Sequence, residues 1–102
     1  MPAYLIGSIT VTDPVGFEEY RAKVPAVIAA HGGRYVVRGG PMEVLEGGWP
    51  GQRTVVLEFP DMARLKAFYD SADYAPLLAL RQRSAESSIM LVEGYVPRGS
   101  AS

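Results

Sequence analysis

The sequence contains no cysteine and a single histidine, His31. The first absence excludes disulfides, thiolate metal sites, iron–sulfur clusters and a cysteine nucleophile. The second leaves a zinc site short of ligands unless carboxylates or a second chain supply them. Nothing favours a haem site through His31, so no bound cofactor and no metal are expected. Neither sign of charge dominates: 10 basic and 11 acidic residues give a formal net charge of −1 and a pI near 5.7. No electrostatic footprint for nucleic acid or an anionic membrane surface exists, nor a basic and aromatic stripe for single strands. Lysine is scarce, with only Lys23 and Lys66 beside eight arginines, and guanidinium forks suit carboxylate pairing and interfaces. No apolar run is long enough for a signal peptide or a membrane span, so a soluble cytoplasmic protein is expected. The glycines of RGGP and EGG lack the spacing of a P-loop or dinucleotide fingerprint, and no G-x-S-x-G elbow occurs.

What is present reads as one domain. A chain of 102 residues, 48% hydrophobic, matches the common size for a single core. The domain is assigned to residues 1–96. The end of the chain, VPRGSAS, resembles a protease-recognition linker, and 97–102 are expected to be a disordered tail.

YLIGSITV (4–11) is short, β-branched and uncharged, a strand stopped by Asp13-Pro14. Asp13 fits a helix N-cap with Pro14 at the first helical position. Phe17, Tyr20, Val24, Val27, Ile28 and His31 then recur on one helical face. Pro25 falls inside this pattern and predicts a kink or a division in two, and Gly32-Gly33 closes the helix. RYVVR (34–38) predicts a second strand, with Arg34, Val36 and Arg38 on one face against Tyr35 and Val37. MEVLE (42–46) reads as a short extended piece, GGWPGQ (47–52) as a turn and RTVVLEF (53–59) as a strand. Pro60-Asp61 opens a helix with Leu65, Phe68 and Tyr69. Asp73 is the expected cap of another, carrying Tyr74, Leu77, Leu78 and Arg81. SSIMLVEGY (87–95) is the last strand.

This order, β-α-β, an excursion, then β-α-β, gives an α+β fold: a ferredoxin-like four-stranded antiparallel sheet with helices on one face. Strands 1, 3 and 4 carry apolar residues on both faces, among them Ile6, Val56, Met90 and Val92. Leaving such a face wet forfeits several kcal/mol at ~25 cal/mol per Å². A homodimer with a cavity between two sheets is therefore expected, a loop or tail being the other possible cover.

The order of elements, with HGGRYVVRGG, EGGWPGQRTVVLEFPD and FYDSADY, resembles the domain of unknown function 1330 family of the dimeric α/β-barrel superfamily. The likeness covers about residues 2–96. Its most specific pieces are Gly32-Gly33-Arg34-Tyr35, Arg38-Gly39-Gly40, Glu46-Gly47-x-Trp49-Pro50, Glu58-Phe59-Pro60 and Ser71-x-x-Tyr74 with Arg81 beyond. Gly48 stands where an acidic residue is common and Phe68 where a tryptophan is common. The resemblance implies the ferredoxin-like dimer and no particular reaction. The superfamily includes cofactor-free monooxygenases, isomerases, haem-binding enzymes and ligand-sensing domains.

Several side chains could carry chemistry. His31 is an acid/base candidate, but in the last turn of a helix it reads more readily as a structural cap. Arg38 would bind an anionic or carbonyl-bearing ligand with its fork, or else pair with Glu58, Glu43 or Glu93 at a dimer seam. Glu58 is the second candidate for moving a proton. Tyr74, at a helix start, could border the cavity, and Tyr4 completes the ligand-binding set with Trp49, which reads as a lid or as an arm on a partner subunit. Ser71 reads as a turn or cap. The expected function is small-molecule binding in the cavity of a dimeric barrel. Its enzymatic form is a cofactor-independent oxygenase or isomerase acting on an aromatic or polyketide-like substrate. The alternatives are a non-catalytic metabolite-binding or stress-related dimer, and a structural dimer with a filled interior.

Overall fold

The computed structural model describes residues 1–97, so the expected tail lies outside the described residues apart from Pro97. Strand β1 (Ala3–Val11) buries Ala3, Leu5, Gly7 and Ile9 on one face and half-buries the residues between. Helix α1 (Pro14–Ala30) follows, with Asp13 extended at its N-cap but its side chain making no capping bond. Pro25 lies inside this helix without dividing it, so the expected division in two does not occur. A proline at 25 deprives the Arg21 carbonyl of its i+4 donor. Here that carbonyl accepts a 2.8 Å hydrogen bond from Nη2 of Arg38 instead, so the helix runs on.

His31 is the C-cap of α1. Gly32, at φ +82°, donates to the Ala29 carbonyl and Gly33 to that of Ile28, closing the helix in the left-handed manner that glycine permits. Strand β2 (Arg34–Arg38) leads into an excursion whose residues 40–50 are all exposed, and 42–46 forms no strand there. Strand β3 (Arg53–Phe59) and helix α2 (Met62–Tyr69) follow, the helix capped by Asp61 accepting from the Arg64 N–H at 2.8 Å. The N-cap of helix α3 (Ala75–Ser84) is Tyr74 rather than Asp73, and its N–H donates at 3.1 Å to Ser71 Oγ, which donates to the Phe68 carbonyl at 2.8 Å. Strand β4 (Ala85–Glu93) begins directly at the helix end, two residues earlier than the sequence pattern suggests. Buried Ala85 takes an extended conformation there and pairs with Val11.

The described strands form one sheet in the order β2-β3-β1-β4, every neighbouring pair antiparallel. β1 therefore runs parallel to β2 with β3 between them, as two crossovers through helices require. Leu5, Leu57 and Phe59 on one sheet face meet Val24, Ile28, Leu65, Phe68, Tyr74 and Leu77 from the helices. Phe59, Phe68 and Tyr74 form an aromatic spine, with successive ring centroids 5.2 and 4.5 Å apart. Each such ring buried stabilises the fold by roughly 1.5–3 kcal/mol. The opposite face is open, and on it Met90 (58%) and Val92 (41%) stay exposed.

Candidate functional site

A β-bulge decides where the arginines of β2 go. Tyr35 pairs with Leu57, Val37 with Val56 and Arg38 with Val55, so Val36 is the extra residue. An inserted residue reverses the alternation beyond it. Arg34 and Arg38 therefore lie on opposite faces, not on one as strict alternation predicts. Tyr35 and Arg38 face the helices, and the Arg38 guanidinium sits 4.7 Å over the Tyr35 ring.

On that helix side a narrow cleft lies between the sheet, α1 and α3. Phe17, Tyr20, Tyr35 and Tyr74 wall it together with aliphatic residues of β1, β3 and β4, and four arginines enter it: Arg21, Arg38, Arg53 and Arg81. Its volume is about 30 Å³, space for one or two waters. Arg81 and Ile89 also line an open notch of about 250 Å³ together with Tyr69, Gln82, Ala85 and Ser87. Among the described residues this cleft lies on the helix side of the sheet; the cavity expected between the open faces of two sheets needs a second chain.

Arg81 is only 4% exposed. Its Nε donates to the Tyr74 hydroxyl and its Nη2 to that of Tyr69, both at a long 3.4 Å. Burial works against the cation, but Tyr74, Tyr20 and Tyr69 outweigh it and hold the guanidinium above its ordinary pKa. The Tyr74 hydroxyl also lies 2.9 Å from that of Tyr20, whose ionisation burial, and then Tyr74, push far above the usual tyrosine range. Arg53 is held below its ordinary value by burial and next by Arg21. Nε of Arg21 and Nε of Arg53 are both buried without a hydrogen-bond partner.

The other candidates lie elsewhere. Glu58 points to the open face, where it accepts from Tyr4 Oη at 2.8 Å and from Arg34 Nε at 2.9 Å. Those two bonds, Tyr4's first, hold its carboxyl below the usual range, which makes it a weak base. Its partner is Arg34, not Arg38, because of the bulge. His31 packs edge-on against Phe68, with Nε2 3.7 Å from an Asp73 carboxylate oxygen, and does not reach the cleft. Trp49 stands 53% exposed in the excursion, donating to Thr54 Oγ1 at 3.1 Å. So Arg38 and Tyr74 converge, while His31, Glu58, Tyr4 and Trp49 do not join them. Sequence reasoning missed Arg21, Arg53, Arg81 and Tyr20 as a group. Arg21 falls one residue past Tyr20 on a helical face read only for its apolar members, and Arg53 opens a strand read only for its valines.

These features define the class as an α+β, ferredoxin-like domain with a cleft between sheet and helices. The chain belongs to the family described as Domain of unknown function (DUF1330), which matches residues 2–95. Comparison with curated proteins gives no match. Among solved structures, a protein of unknown function from Rhodopseudomonas palustris is similar at 17% identity, covering 94% of this chain and 84% of that one, with a TM-score of 0.72. SnoaB, a cofactor-independent oxygenase from Streptomyces nogalater, is 16% identical over 97% of this chain and 98% of its own, with a TM-score of 0.64. HapK from Hahella chejuensis is 20% identical over 93% and 98%, with a TM-score of 0.60. At these identities the likeness is one of fold.

Proposed function

We propose that the chain binds a small molecule in the helix-side cleft and works as a homodimer closed over the open sheet face. The observation that carries the ligand site is the convergence of Arg38 and Tyr74, with Tyr20 and Arg81, on a space walled by aromatic rings. An apolar, aromatic enclosure with a few directed polar groups is what small-molecule sites have in common. The dimer rests on the exposed Met90, Val92 and Val37, which share the open face with half-buried Ile6 and Val56.

A catalytic version is supported by the fold shared with SnoaB, a cofactor-independent oxygenase. The cleft lining contains no carboxylate and no imidazole, so neither Glu58 nor His31 moves a proton there. The chemistry open to these residues is stabilisation of a substrate oxyanion by guanidinium and tyrosine donors. On an enolisable aromatic methylene, O2 would be the oxidant, one oxygen atom becoming the new carbonyl and the other leaving as water with the two hydrogens.

Native mass spectrometry of the purified chain at low micromolar concentration tests the two parts together. The expected result is a dimer releasing a small mass on denaturation, and an Arg38→Leu variant that does not retain it. A monomer overturns the dimer. Equal retention by Arg38→Leu moves the ligand out of the cleft.

A further inference from the structure

The cleft has an electrostatic imbalance that its apolar walls do not explain. Four guanidinium groups line it and no acidic residue does. The one carboxylate near the cluster is Glu18, 69% exposed at the outer edge, with Oε2 3.7 Å from Arg21 Nη1. Of the four only Arg81 is buried, Arg21 and Arg53 being half-buried and Arg38 exposed, so the several kcal/mol of desolvating an unpaired ion falls on Arg81. Arg81, almost wholly buried, has only two tyrosine hydroxyls at 3.4 Å. The buried Nε donors of Arg21 and Arg53 have no acceptor at all. Arg38 commits one Nη2 donor to the Arg21 carbonyl.

We infer that the ligand of this cleft is an anion: a planar aromatic molecule whose carboxylate enters the cleft among Arg21, Arg53 and Arg81 while its ring lies in the notch beside Arg81, against Tyr69 and Ile89. This rests on the cleft being the ligand site. A carboxylate supplies the acceptors that the two orphaned Nε groups lack, and guanidinium forks recognise it bidentately. The cleft, about 30 Å³, suits a headgroup rather than a whole molecule, and the ring takes the notch of about 250 Å³ that shares Arg81 and Ile89 with it.

Titration calorimetry at neutral pH and low salt, with 2-naphthoate, the uncharged 2-naphthamide of the same shape, and inorganic phosphate, tests the assignment. Naphthoate is expected to bind at least tenfold more tightly than naphthamide, and phosphate more weakly than naphthoate. Arg53→Gln is expected to reduce the naphthoate preference to near unity. Arg81→Met provides a second variant, with the same expected loss, if Arg53→Gln does not fold. Equal binding of naphthamide and naphthoate overturns the anion while leaving the ligand cleft standing. Phosphate binding as tightly as naphthoate overturns the aromatic carboxylate in favour of an inorganic anion. Absence of binding by all three at millimolar concentration overturns both the anion and the cleft.

Discussion

Replacing Arg81 by methionine is expected to stabilise the protein while abolishing carboxylate binding. The guanidinium is 4% exposed and faces no carboxylate; its two hydrogen bonds, each 3.4 Å, fall beyond the 2.7–3.2 Å of good N–H···O geometry. Losing those bonds costs about 1 kcal/mol each, below the ~1.5 kcal/mol of a well-formed bond from a charged group because both are long. The Tyr74 hydroxyl retains Tyr20 at 2.9 Å, and half-buried Tyr69 reaches water. Against this stands relief from desolvating a cation that the tyrosines only partly compensate, and exchanges of buried ion pairs for apolar residues of similar size are neutral or gain ~1–4 kcal/mol. The net expectation is a gain of up to about 2 kcal/mol, or up to roughly 10 °C in Tm for a domain of this size. Calorimetric melts and urea midpoints of the two proteins, measured without ligand, check it. A loss of more than about 1 kcal/mol would refute the reasoning, because it would mean that the charge is neutralised within the fold rather than held for a ligand.

Three other outcomes are expected. Gly33→Ala places a Cβ 2.5–2.9 Å from ring carbons of fully buried Phe59, so a loss of roughly 1–3 kcal/mol is expected in urea unfolding; an unchanged midpoint would show that the ring can shift freely. Glu58 has a lowered folded pKa, so its contribution is present above the unfolded value of about 4.3 and lost as pH falls through the folded one. Glu58→Gln should flatten that part of the acid limb in urea midpoints between pH 6 and 2, and an unchanged acid limb would count against the Tyr4 and Arg34 bonds. Met90→Glu on the open face is expected to shift sedimentation from dimer to monomer at low micromolar concentration, and an intact dimer would move the interface to another surface.

Much of the architecture was legible in the sequence because the strands are short and β-branched and their ends are marked by Asp13-Pro14, Gly32-Gly33 and Pro60-Asp61. The division in two expected at Pro25 did not occur, and a donor from β2, remote in sequence, reaches the carbonyl the proline leaves free. The pairing of Arg38 with Glu58 failed for a related reason. Alternation along RYVVR puts both arginines on one face, and no residue in that run announces a bulge at Val36. Asp73 was a reasonable cap by type, but Tyr74 takes that position, its N–H held by Ser71 three residues before it. The arginine cluster was hardest to see, because its members come from α1, β2, β3 and α3 and meet only once the crossovers bring those elements together.

The hydrogen bond from Arg38 to the Arg21 carbonyl also joins the histories of two positions. Proline at 25 creates a vacancy on α1, and arginine at 38 fills it from the neighbouring strand. A descendant with alanine at 25 would restore the helix's own donor and release Arg38, leaving its full fork for whatever enters the cleft. A descendant that lost Arg38 while keeping Pro25 would leave the Arg21 carbonyl to water. How much of the Arg38 fork faces the cleft thus depends on residue 25, a position that does not line it.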